Sequence, residues 1–158
     1  MDATGHILTG FVLLLAAGAA ACIDAVPPAA PPSPSRGAFE SDVYPILARD
    51  CAFPACHGSP DRFFRVYAPG RTRLSADTEI DALATPEEID LAWERTRSML
   101  ASASSPGESW LVRKPLALSA GGAPHMGLDE HGRDVYADRE DPRWRTLYAW
   151  AQGGWSEP

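Results

Sequence analysis

Two thiols and an imidazole fall within seven residues of this chain, in the run Cys51-Ala-Phe-Pro-Ala-Cys56-His57. No other feature restricts the fold as strongly, because each chemistry open to such a run dictates the backbone path around it. The spacing C-x4-C-H is a longer version of the C-x-x-C-H site for covalent haem attachment. There each thiol adds across one vinyl group, and the histidine beside the second cysteine comes under the iron as its proximal ligand. Two other chemistries suit the same residues. The cysteines could close a short disulfide loop in an oxidising compartment, or join later histidines around zinc. Spacing alone leaves all three open.

The third cysteine is Cys22, and its setting differs. Ile7 to Ala17 is apolar, and Gly18-Ala19-Ala20-Ala21 supplies the small residues that a signal peptidase reads. About eleven strongly apolar residues are too few for a membrane span, which takes about 20. The sequence therefore predicts a signal peptide over 1–21. Ala19-Ala20-Ala21-Cys22 resembles the lipobox of bacterial lipoproteins, which implies that Cys22 carries lipid and that Cys51 and Cys56 remain as the pair. Residues 22–37 include the proline-rich run AVPPAAPPSPSR. Such a run favours extended polyproline II, about 3.1 Å per residue, and buries no core. It is expected to act as a tether that holds the protein at the cell envelope, in the periplasm or at the cell surface, with the outer membrane as the expected anchor.

The rest, 38–158, is long enough for one domain with a modest core. Thirteen glycines and 15 prolines among 158 residues point to many turns. A net charge of −7 argues against nucleic acid as a partner, since no basic tract is large enough to neutralise a run of phosphates.

Helical periodicity marks three segments. Phe39, Val43, Ile46 and Leu47 share a face that leads straight into Cys51, with Ser41 or Asp42 expected as the cap and Pro45 in the first turn. Thr85-Pro86-Glu87-Glu88 is a capping box with proline at the first helical position. The stripe behind it is Ile89, Ala92, Trp93, Thr96, Met99 and Leu100, in which Met99 reads as core. Asp141-Pro142 opens a last helix with Trp144, Leu147, Tyr148 and Ala151 as its main stripe, Trp150 alongside, and Gly153-Gly154 as its end. Between the first two helices, Phe63, Phe64, Val66 and Tyr67 suit an extended segment or a pocket wall. Arg62, Arg65, Arg71 and Arg73 suit a solvated surface or the pairing of haem propionates.

The run Phe39-x3-Val43-x-Pro45-Ile46-Leu47-x3-Cys51-x4-Cys56-His57-Gly58 resembles the start of bacterial class I cytochrome c domains, closest to the planctomycete-type group. The resemblance extends from Phe39 to Gly154 and is loose from Ser59 to Ser105. It implies an all-α fold, three or four helices around one covalently bound haem c. It implies thioether bonds at Cys51 and Cys56 and His57 as proximal ligand. The glycine-rich segment Gly121-Gly122-Ala-Pro-His125-Met126-Gly127, after Lys114-Pro115-Leu116, approaches the other haem face in this group. His125 is then the expected distal ligand and Met126 the alternative; His131 is expected at the surface. The implied function is single-electron transfer with redox partner proteins. No Ser/His/Asp or paired-carboxylate constellation suggests an enzyme, and the familiar dihaem peroxidases need two haem-attachment sites. A haem-free, disulfide-closed envelope lipoprotein with a binding or structural role is the alternative.

Overall fold

Ser35 opens the first helical run, its hydroxyl accepting from the Ala38 N–H at 3.2 Å. The structure is a computed structural model that describes residues 31–101, 103–125 and 134–155. The predicted signal peptide, Cys22, Met126 and His131 lie outside the described residues. From α1 (Arg36–Ala38) the chain passes through a π-helical turn, Phe39–Val43, into α2 (Tyr44–Asp50). Pro45 thus sits within a continuous helical run, not in the first turn as the sequence suggests. A proline there removes an N–H and presses on the carbonyl four residues earlier. The wide turn lies at that point, closed by the Tyr44 N–H donating to the Phe39 carbonyl.

Packing begins before Ala38. Pro34 is buried, Trp150 Nε1 donates to the Ser35 carbonyl at 2.9 Å, and Arg97 Nε donates to the Pro32 carbonyl at 3.3 Å. The end of the proline-rich run therefore belongs to the folded unit.

α3 (Pro86–Ser98) starts with the predicted capping box: Thr85 Oγ1 accepts from the Glu88 N–H at 3.2 Å, and Glu88 Oε2 accepts from the Thr85 N–H at 3.0 Å. α4 (Trp110–Arg113) is a single turn, and α5 (Pro142–Gln152) is capped by Asp141. Two 3-10 turns, Pro106–Glu108 and Leu118–Ala120, join them. The expected all-α class holds: among the described residues there is no strand, only an isolated parallel bridge between Leu116 and Tyr136. No described helix is long and apolar enough to cross a membrane.

The first helical run, α3 and α5 meet at an aromatic cluster. Phe39, fully buried, lies 5.4 Å from Trp93 and 5.6 Å from Trp150 between ring centroids, and the two tryptophans are 5.7 Å apart. Edge-on and tilted contacts of this kind suit the ring quadrupoles. On α5 the buried residues are Trp144, Leu147, Trp150 and Ala151, so Trp150 replaces Tyr148 in the predicted stripe. Its indole N–H reaches back to Ser35, which draws the side chain inward. At the end of α3, Met99 packs against the core, as its position in the stripe predicts.

Candidate functional site

α2 delivers the chain into the Cys51 loop. The Cys51 N–H closes the helix on the Leu47 carbonyl at 2.9 Å, and the chain then folds back upon itself. Cys56 and Gly58 N–H groups both donate to the Phe53 carbonyl, at 2.8 and 2.9 Å, and the His57 N–H donates to the Cys51 carbonyl at 3.0 Å. Glycine is required at position 58: a Cβ there would lie 3.0 Å from the Phe53 carbonyl carbon and closer still to the Ala52 oxygen. This tight loop aims the His57 ring.

The Phe64 carbonyl fixes the ring further, 2.8 Å from His57 Nδ1. A carbonyl has no proton to give, so Nδ1 carries the hydrogen and Nε2 keeps its lone pair. Metal-ligating histidines are oriented by this kind of bond. The Phe64 ring also meets the imidazole edge-on, with centroids 4.9 Å apart. The Phe63–Tyr67 run is therefore the wall beside His57, although Phe63 itself is 77% exposed. Tyr44 anchors that wall from α2, its hydroxyl donating to the buried Tyr67 carbonyl at 2.7 Å.

His125 arrives from the opposite end of the chain. The Ala123 N–H donates to the Arg113 carbonyl at 2.9 Å, the Gly122 N–H to the Ala117 carbonyl at 3.0 Å, and Lys114 Nζ to the Pro124 carbonyl at 2.8 Å. A Cβ at Gly122 would overlap the Leu116 carbonyl, so only glycine admits this path. Lys114 also lies over the Trp110 ring, 4.9 Å from its centroid. α4 and its exit thus hold the segment up to His125.

The two imidazoles lie close together, with centroids 5.8 Å apart and planes within 13° of parallel. With metal–nitrogen bonds of about 2 Å, imidazoles on opposite sides of one metal ion have centroids roughly 6 Å apart. Burial, above all, lowers both histidine pKa values. For His57 the Phe64 carbonyl opposes the effect; for His125, His57, Lys114 and Arg62 add to it. Both rings are therefore neutral near pH 7, the form that ligates a metal.

Cys51 and Cys56 are free thiols, not joined to each other. Burial pushes the Cys51 thiol up to about 12, with Asp50 and Cys56 adding to the effect. Cys51 is accordingly protonated at neutral pH and is no thiolate nucleophile. Among the described residues no three of His, Cys, Asp and Glu converge as a metal-binding group.

Behind Cys51 lies a polar network that no local pattern in the sequence signals. Tyr136 is fully buried and donates to Asp50 Oδ2 at 3.2 Å, and Arg143 reaches the same oxygen at 3.3 Å. These bonds span about 90 residues, and only the surplus of acid and arginine near both ends hints at them. The arginine tract also divides. Arg73 is buried against Glu88, and Arg65 donates to the Ser59 carbonyl and the Tyr67 hydroxyl. Arg71 lies over the Phe53 ring at 4.2 Å, and Arg62 is exposed.

No family model, curated protein or solved structure matches the chain.

Proposed function

We propose that this chain is a monohaem c-type cytochrome that carries single electrons at the cell envelope, tethered by lipid on Cys22. The observation that carries the proposal is the closeness of His57 and His125, with ring centroids 5.8 Å apart and planes within 13° of parallel, and the His57 Nδ1 proton committed to Phe64. That separation is near the roughly 6 Å expected of two imidazoles on one metal ion.

Four residues would hold the group. Cys51 and Cys56 supply the thiols for two thioether bonds, His57 the proximal nitrogen and His125 the distal one, with Met126 the competing distal donor. Haem, when bound, supplies a ferrous–ferric couple that gains or loses one electron without a nucleophile or general base. The chain's own work is positional. Gly58 and the Phe64 carbonyl orient His57; Lys114 and the Arg113 carbonyl fix the approach of His125. The Phe64 ring, edge-on to His57, supplies apolar surface beside the site.

The deciding experiment matures the full chain with the haem-attachment machinery and extracts it with acid acetone. Colour should stay with the protein, because both vinyl groups are bonded. Haem lost entirely to the extract would overturn covalent attachment, and no haem spectrum at all would overturn the cytochrome reading. For the distal ligand, His125→Ala should change the low-spin spectrum while Met126→Ala leaves it unaltered. A bis-histidine centre should also have a lower reduction potential than a His/Met centre. Loss of the spectrum in Met126→Ala alone would reassign the ligand.

A further inference from the structure

His57 and His125 are carried by segments far apart in the chain, and Tyr136 bonds to both segments. Its backbone belongs to the His125 side. The Tyr136 N–H donates to the Pro115 carbonyl, and its carbonyl accepts from the Ala117 N–H, each at 2.9 Å. The Ala117 carbonyl in turn accepts from the Gly122 N–H at 3.0 Å, on the approach to His125. The side chain belongs to the His57 side. Its hydroxyl donates to Asp50 Oδ2 at 3.2 Å. Asp50 immediately precedes Cys51, whose carbonyl accepts from the His57 N–H at 3.0 Å.

The Asp50 carboxylate is held firmly enough to serve as an anchor. Arg49 donates to it at 2.7 and 3.1 Å. Arg143 donates to it through Nη1 at 3.3 Å, while its Nε and Nη2 are clamped on Asp141 at 2.9 and 2.6 Å. The same Arg143 guanidinium covers the Tyr136 ring, 5.1 Å from its centroid. Tyr136 is fully buried, so water does not compete for its hydroxyl, and a bond to an ionised acceptor is stronger than one between neutral groups. A phenylalanine would fill the place of the ring equally well. What the hydroxyl adds is the link to Asp50.

We propose that Tyr136 is a positioning residue: its hydroxyl ties the approach of His125 to the Cys51–His57 loop and so holds the two imidazoles at one spacing. The tie stands on these hydrogen bonds, and its effect at iron rests on the cytochrome reading. The test is Tyr136→Phe in the full chain expressed with the haem-attachment machinery. Tyr44→Phe is the control, because it also loses one buried hydroxyl bond, to the Tyr67 carbonyl. Amide hydrogen exchange reads opening segment by segment. In Tyr136→Phe the Cys56, His57 and Gly58 amides and the Gly122 and Ala123 amides should exchange faster together, by about tenfold, while α3 keeps the parent rate. In Tyr44→Phe the Gly122 and Ala123 amides should keep theirs. In haem-loaded protein, cyanide competes with the distal ligand and should bind Tyr136→Phe about tenfold more tightly than the parent. Parent-like exchange in Tyr136→Phe, acceleration spread evenly over α3, or faster Gly122 and Ala123 exchange in Tyr44→Phe would overturn the tie. Unchanged cyanide binding would overturn its role in spacing the imidazoles. A chain that takes up no haem overturns the cytochrome reading instead, and exchange still decides the tie.

Discussion

Replacing Arg73 by methionine removes one side of an ion pair that is almost dry. The two side chains are 4% and 0% exposed, and their contact is bidentate: Nε to Oε1 at 3.0 Å and Nη2 to Oε2 at 2.8 Å. Glu88 would keep its bonds from the Leu74 and Thr85 N–H groups, at 2.9 and 3.0 Å, but its charge would lose its counterion. Breaking a buried pair from one side costs about 3–5 kcal/mol. Arg73 also donates to the carbonyls of Glu79, Ile80, Ala82 and Leu83, so the loop before α3 loses its anchor as well. For a domain of this size that corresponds to roughly 10–20 °C in melting temperature. The assay is urea and thermal unfolding followed by circular dichroism. Arg145→Met, which unpairs the exposed Glu140, serves as the surface control and should cost less than about 1 kcal/mol. Arg73→Met/Glu88→Gln, which removes the stranded charge, should recover part of the loss.

Acid sharpens the same test. Burial alone would raise the Glu88 pKa; the Arg73 guanidinium and the Leu74 and Thr85 N–H groups outweigh it and hold it below the usual carboxylate value. A group with a folded pKa below its unfolded one contributes stability above the unfolded value, and loses that contribution as pH falls through the folded one. The parent should therefore lose stability across the acid range more steeply than Arg73→Met does. If Arg73→Met costs no more than Arg145→Met, or if the parent and Arg73→Met show the same acid slope, the pair is not what anchors α3 to the loop.

Gly58→Ala should displace the Cys51–His57 loop and lower the yield of haem-loaded protein, read as the ratio of haem to protein absorbance, because its Cβ meets backbone instead of a movable side chain. Phe39→Ala empties the centre of the aromatic cluster and should cost about 3–5 kcal/mol in urea unfolding. Cys22→Ser should move the protein from the membrane to the soluble fraction; unchanged fractionation would refute the lipid anchor.

What the sequence made legible is what local chemistry controls. The capping box from Thr85 to Glu88 spans four residues and forms as written. The apolar face Phe39, Val43, Leu47 survives even though the helix starts upstream at Ser35 and widens at the π-turn, because all three stay in the core. Glu88 was legible only as half of a cap. Its second partner stands 15 residues away, a separation that no periodicity encodes. Arg73 accordingly looked like one of four surface arginines. Tyr136, reached from Asp50 across the whole domain, was hidden for the same reason.

The site divides along the same line. His57 follows from its place beside Cys56, but its tautomer follows from the Phe64 carbonyl, and a backbone acceptor leaves no mark in the choice of side chains. In sequence His125 is the preferred distal ligand and Met126 the alternative, since iron accepts either. Constraints placed just before His125 fix its approach. Arg113, Ala117 and Pro124 carbonyls are each engaged, and Gly122 permits a backbone approach that a Cβ would block. These bonds stop one residue short of the imidazole, whose ring lies within 13° of the His57 plane. The pairing of His57 with His125 is thus the work of the backbone around α4 as much as of the two histidines themselves.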